Sequence, residues 1–253
     1  MPDFGFPALN RSALGRAPWS PLSMGADLVL WLDAATAATQ EGPVAAWPDR
    51  SGQGRDAVQA SPALRPSWRH DAARGRGMLR FQSQDMTLPN LGLARDLSAF
   101  WVMAPDARGA TSAYPIYLFL DGSSFDGQGR KPMLHGLPTS PGLLLLQIGN
   151  TGTSHAVVPG AVQLGGIVSR AGRIESALNG AEPVVQTHQT VLSASAATGR
   201  IGAPTSQCDW GELIVLDRDV AAAERQRIEG YLAHRWACAH LLPPSHPHAA
   251  DAP

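Results

Sequence analysis

The sequence predicts an all-β chain: a two-sheet antiparallel sandwich closed by one C-terminal helix. Three observations predict it. Short apolar runs recur along the chain between clusters of Gly, Pro, Asn, Asp and Ser. The 26 Gly and 21 Pro among 253 residues supply the many turns that such a fold needs. Helical periodicity emerges once, near the C-terminus, so strands and helices do not alternate as they would around a parallel sheet.

Residues 1–25 carry Pro2, Pro7, Pro18 and Pro21 with Phe4, Phe6, Leu9, Leu14 and Trp19, and follow no period of 2 or 3.6. They are expected to form an extended arm, too apolar for a solvated tail, that packs on its own domain or on a neighbouring subunit. One domain is expected over 26–247. Its strands are Leu28 to Leu32, Met78 to Gln82, Ala99 to Met103, Ile116 to Leu120, Leu143 to Ile148, Val162 to Val168, Ile174 to Leu178 and Glu212 to Leu216. Asn179-Gly180 is a hairpin signal, because both residues tolerate the positive φ of a type I′ turn.

After Asp219, the expected N-cap, Ile228, Tyr231, Leu232 and Trp236 recur at helical spacing, predicting a helix over about 220–238. Ile228, Leu232 and Trp236 should face the sandwich, and Pro243 with Pro244 should stop the helix. Residues 248–253 are expected to fray as a flexible tail. Cys208 and Cys238, the two cysteines, could form one disulfide or remain two thiols.

Three segments carry a family resemblance. They are Leu28-Val29-Leu30-Trp31-Leu32-Asp33-Ala34, then Trp47-Pro48-Asp49-Arg50-Ser51-Gly52-Gln53-Gly54, and Glu224-Arg225-Gln226-Arg227-Ile228-Glu229-Gly230-Tyr231-Leu232-Ala233-His234-Arg235-Trp236. Together with Leu242-Pro243 and His246-Pro247 they resemble the laminin-G-like, concanavalin A-like jelly-roll domains of bacterial surface proteins and phage-type virion fibres and spikes. The resemblance implies a jelly roll over residues 27–247. It identifies a scaffold, and fold alone does not assign function.

The formal net charge of −1 gives no field that would draw the chain to nucleic acid or an anionic bilayer. No apolar run is long enough to span a membrane, and the N-terminus has no signal-peptide pattern. Hydrolysis by the retaining mechanism of related sandwiches needs paired carboxyls on one strand face. Neither an E-x-D-x-x-E pattern nor a G-x-S-x-G elbow is present. A non-catalytic role is therefore expected.

The site expectation is a carbohydrate-binding set: Tyr114, Tyr117 and Trp68 to stack on a sugar ring, with Asp121, Asp126 and Arg130 to bond hydroxyls. Trp210 is a further aromatic candidate. The oxygen-rich loop from Asp121 to Arg130 could hold calcium, as laminin-G-like relatives can, although it lacks EF-hand spacing; otherwise no cofactor or metal is expected. His234, His240, His246 and His248 match no ligand spacing and read as solvated. The resulting expectation is a non-catalytic adhesin on a phage-like particle, made in the bacterial cytoplasm. It would bind cell-surface or capsular polysaccharide, meet another virion protein through the arm, and could form a homo-oligomer. The alternatives are a structural decoration protein and an uncharacterised glycan hydrolase.

Overall fold

A computed structural model describes residues 18–93, 96–106, 117–120, 132–136, 143–148, 151–170, 172–187 and 198–253. In chain order the strands are β1 (Leu28–Asp33), β2 (Gly42–Pro43), β3 (Ala46–Trp47), β4 (Ala57–Val58), β5 (Ser67–Asp71), β6 (Arg76–Gln82), β7 (Asp85–Leu88), β8 (Leu97–Pro105) and β9 (Tyr117–Phe119). They continue as β10 (Pro132–Gly136), β11 (Leu143–Ile148), β12 (Thr151–Ala156), β13 (Gln163–Arg170), β14 (Arg173–Leu178), β15 (Val184–Thr187), β16 (Gly199–Gly202) and β17 (Gln207–Leu216), with one α-helix among the described residues, α1 (Ala222–Arg235).

The strands form two antiparallel sheets, as the sequence pattern predicts. The first runs β2-β5-β6-β17-β8-β13-β14-β15, with β1 also on β17, and the second runs β3-β4-β7-β16-β9-β10-β11-β12. The long strand β17 organises the first sheet. One edge pairs with β8 along Cys208 to Leu216, whereas the other is shared, Gln207 to Trp210 with β6 and Glu212 to Leu216 with β1.

Three layers result, because the first sheet is covered on both faces. Leu30, Leu32, Trp101, Met103, Leu213 and Val215 point into the core between the sheets. Trp31, Phe100, Val102, Ile214 and Leu216 point the other way, onto α1. A strand buried on both faces reads as an unbroken apolar run instead of an alternation, and β8 and the second half of β17 do so. Ile228, Leu232 and Trp236 face the sheet as expected and are fully buried.

The Asn179-Gly180 turn also forms as expected. Both residues have positive φ (54° and 69°), Ala181 N–H donates to the Leu178 carbonyl (3.1 Å), and β14 pairs with β15.

Both helix ends differ from expectation. The N-cap is Ala221 and not Asp219; Glu224, in the third helical position, accepts the Ala221 N–H (3.1 Å), so the side-chain half of the cap comes from inside the helix. At the other end the helix stops before the prolines, at Ala237, which takes φ 52° while Cys238 N–H reaches back to the Ala233 carbonyl (2.8 Å).

The terminal segment also departs from expectation. Instead of fraying it folds back along α1, where His246 is buried, and Trp19 N–H meets the Pro253 carbonyl (3.4 Å). Of the arm, the described part packs at home, with the Trp19 ring edge-on to Tyr231 (5.3 Å). Cys208 and Cys238 are free thiols in different layers, Cys208 between the sheets and Cys238 under the helix. Burial raises both thiols well above their usual range, Cys238 to about 12.

Candidate functional site

Two acid–arginine clusters stand out, one sealed and one open. The sealed cluster lies between the first sheet and the C-terminal end of α1. Asp33 closes β1 directly opposite Glu212 in β17, and both are fully buried. Glu212 Oε1 accepts from Trp31 Nε1–H (2.7 Å) and Tyr231 O–H (3.1 Å), while Oε2 accepts from Trp236 Nε1–H (2.6 Å) and lies 3.2 Å from Arg235 Nε. Asp33 pairs with Arg235 and with Arg50 (2.9 Å), whose guanidinium sits 4.3 Å from the Trp31 ring centre.

Asp49 fixes the strand that presents these groups. Its carboxylate accepts N–H bonds from Trp31 (3.0 Å), Ser51 (2.9 Å) and Arg55 (3.0 Å), and the Ser51 hydroxyl (2.7 Å). Burial would raise this carboxyl, but these donors prevail and hold it below the usual range. Gly211 admits Trp236, since a Cβ there would lie 2.9 Å from the indole.

Every family-like segment therefore converges on Glu212: the opening strand supplies Trp31 and Asp33, the Asp49-Arg50-Ser51 turn braces them, and the helix supplies Tyr231, Arg235 and Trp236. Burial and the neighbouring Asp33 push the Glu212 carboxyl up to about 7, against Arg235 and the two indole donors. An acid–acid pair with one raised member could serve acid–base chemistry. Here both carboxyls are fully enclosed, and the donors around them are protein groups, so the arrangement clamps the helix to the sheet.

The open cluster lies on the second sheet, whose outer face carries no helix among the described residues. Met86, Leu88 and Ile201 point into the core, so Asp85, Thr87 and Arg200 face outward. Arg200 and Asp85 form an ion pair at 29% and 14% side-chain exposure, and Gln59 Nε2 donates to the Asp85 carboxylate and to its backbone carbonyl (2.9 Å). Asp85 thereby fixes one guanidinium and one amide on an accessible sheet, beside the exposed Val58 and Thr87.

The sequence-predicted sugar residues fall in two places. Tyr117 lies in β9, the strand next to β16 and hence to Arg200. Tyr114, Asp121, Asp126 and Arg130 lie outside the described residues, the last three in the connection from β9 to β10 of the same sheet. Trp68 requires a correction. It is 7% exposed, and its Nε1–H donates to the Ala34 carbonyl (2.7 Å). A Cβ at Gly77 would lie only 2.0 Å from its ring, so it is a core side chain with no free face for a sugar. Trp210 is equally enclosed. Indeed all tryptophans except the half-buried Trp19 are buried.

One further contact has the look of a nucleophile and base. His155 Nε2 lies 2.8 Å from Ser176 Oγ, across the gap between β12 and β14. Thr153 Oγ1 shares the Ser176 hydroxyl, and both hydroxyl residues are buried, so the trio ties one sheet to the other. Burial lowers the His155 imidazole from its ordinary range and keeps it neutral. The C-terminal histidines, expected to be solvated, correct in part: His246 is buried against Glu229 (3.2 Å), and His234 Nε2–H donates to the His248 carbonyl (2.8 Å). No group of metal-ligating side chains forms among the described residues.

No protein-family model and no curated protein matches the chain. Solved structures do. The binding domain of Paraclostridial Mosquitocidal Protein 1 superposes with a TM-score of 0.62 at 11% identity, over 86% of this chain and 56% of its own. The botulinum neurotoxin serotype D binding domain gives 0.56 at 12% identity, over 80% and 51%. Trypanosoma rangeli sialidase in complex with sialic acid gives 0.57 at 13% identity, over 83% and 33%. At these identities the likeness is one of fold, and the chain spans about half or less of each of these structures.

Proposed function

We propose that this chain is a non-catalytic carbohydrate-binding module of the jelly-roll kind, and that its binding face is the outer side of the second sheet around Arg200. The observation that carries this reading is the Asp85–Arg200–Gln59 cluster. A guanidinium positioned by a carboxylate is a donor for sugar hydroxyls or carboxylates, and this one stands on a sheet face that no helix covers among the described residues. Asp121, Asp126 and Arg130, which lie in sequence between β9 and β10 of the same sheet, are proposed to supply further polar contacts and to be the place for a calcium ion if one is bound. Two of the similar folds are named as binding domains and a third is named in complex with sialic acid, which supports a glycan ligand. Attachment of a phage-like particle to a cell-surface or capsular polysaccharide is the proposed setting, on the strength of the family resemblance.

The test is a glycan array combined with whole-cell binding on capsulated and decapsulated bacteria. Binding without loss of polymer length is expected, and Arg200→Ala should weaken it about tenfold or more, the loss of one charged hydrogen-bonding partner. Binding that Arg200→Ala leaves unchanged would move the site away from this face. Release of reducing ends would replace a binding module by a hydrolase, and absence of any glycan or cell binding would favour a structural decoration protein.

A further inference from the structure

We infer that the face around Arg200 takes a carboxylated polysaccharide, with Arg65 as a second cationic contact and Gln59 as the residue that positions both. This rests on the reading of that face as the binding face. The groups run across four neighbouring strands in the order β16, β7, β4, β3. Arg200 lies in β16 and pairs with Asp85, the first residue of β7. Gln59 directly follows β4, and its backbone N–H donates to the Ala45 carbonyl just before β3 (2.8 Å). Arg65 reaches back to the same residue: its Nε–H donates to the Gln59 carbonyl (3.1 Å) and its Nη2 to the Ala60 carbonyl (3.2 Å). Gln59 therefore meets Arg65 through its backbone and Arg200 through Asp85.

Donor capacity separates the brace from the contacts. The Gln59 amide has two hydrogens, and Asp85 takes both, at its backbone carbonyl (2.9 Å) and its carboxylate; Gln59 Oε1 accepts the Ser61 N–H (3.0 Å). No amide hydrogen is left for a sugar, so Gln59 acts by holding its neighbours. Arg65 differs. Its two bonds go to neutral carbonyls, and among the described residues it pairs with no carboxylate, whereas Asp85 offsets Arg200. Arg65 and Arg200 against Asp85 leave this cluster one positive charge, on a chain whose formal net charge is −1. An anionic ligand gains from that charge and a neutral one does not, and the guanidinium fork matches a carboxylate in particular. Val58, 47% exposed, pairs with Thr87, which pairs in turn with Arg200. That row offers an apolar spot and a hydroxyl to the ring of the same ligand.

Binding of the full chain to polygalacturonate, hyaluronate and polysialate, each compared with the same polymer after its carboxyls have been reduced to primary alcohols, tests this. At least one native polymer is expected to bind about tenfold or more tightly than its reduced form, with affinity falling as salt rises. Arg65→Ala should lower that affinity about tenfold, flatten the salt dependence and cost the reduced form much less. Arg65→Lys, which keeps the charge, should restore the salt dependence. Gln59→Leu should weaken the same binding with the salt dependence retained, and unchanged affinity would strike Gln59 from the site. Urea midpoints close to that of the wild type establish that each variant is folded. Equal binding of native and reduced polymers, or binding of neutral glycans alone, with Arg200→Ala weakening it, would leave the binding face in place and overturn this inference. Selectivity for a native polymer that survives Arg65→Ala with its salt dependence intact would do the same. Binding to no glycan at all would instead overturn the binding face, and the inference with it.

Discussion

The two acid–arginine clusters use the same side-chain chemistry at opposite degrees of burial. Under the helix, Asp33 and Glu212 are fully enclosed and every carboxylate oxygen meets a protein donor; on the second sheet, Asp85 and Arg200 are partly open to solvent. The difference separates a cluster that holds the fold from one that, on the proposed function, is free to bind. A buried charge without its partner is costly, whereas an exposed pair contributes little to stability and can afford to exchange partners.

The sharpest way to break that comparison is to remove Glu212. Glu212→Ala strands two indole N–H groups and a phenol, and should lower the unfolding free energy by about 3–5 kcal/mol, measured by urea denaturation. A loss below about 1 kcal/mol would make the cluster incidental. The pH dependence comes next in size. Folding raises the Glu212 carboxyl from its ordinary 4.5 to about 7, so the folded state holds a proton that the unfolded chain has released. The stability contributed is complete below pH 4.5 and lost as pH rises through 7, on the order of a few kcal/mol. Titrating denaturation midpoints from pH 4.5 to 8 should show this slope in the wild type and not in Glu212→Gln. The smallest effect belongs to the open pair: Arg200→Ala should change stability by less than about 1 kcal/mol while altering ligand binding. A large destabilisation there would reassign the pair to scaffold.

The fold was legible where burial writes a pattern. Runs such as Leu97–Pro105 and Leu213–Leu216 are apolar because both faces are covered, and Ile228, Leu232 and Trp236 mark the helix by spacing. Strands that escaped notice lack such a run: β2 and β3 are two residues long, and β5 reads Ser-Trp-Arg-His-Asp, in which Trp68 alone is buried. Asp219 is a good cap by residue type, but the chain enters the helix two residues later and Glu224 takes the role.

The site was harder to read, because its partners meet only through sheet register. Gln59, Asp85 and Arg200 come from separate parts of the chain, and nothing local connects them. Trp68 misled for the reverse reason: its polar neighbours suggest a surface, whereas Gly77 opens room for its ring in the core. One signal was available in advance. Asp33 and Glu212 each abut an apolar strand run, and a carboxyl so placed must find donors if it is buried.

The placement of the two thiols gives the molecule a built-in diagnostic. Cys208 lies in the layer between the sheets and Cys238 in the layer beneath the helix. The first sheet stands between them and both are free thiols, so no bridge joins them. A pulse of alkylating reagent during unfolding therefore labels each layer separately. Modification of Cys238 ahead of Cys208 would record the helix lifting from a sandwich that is still closed.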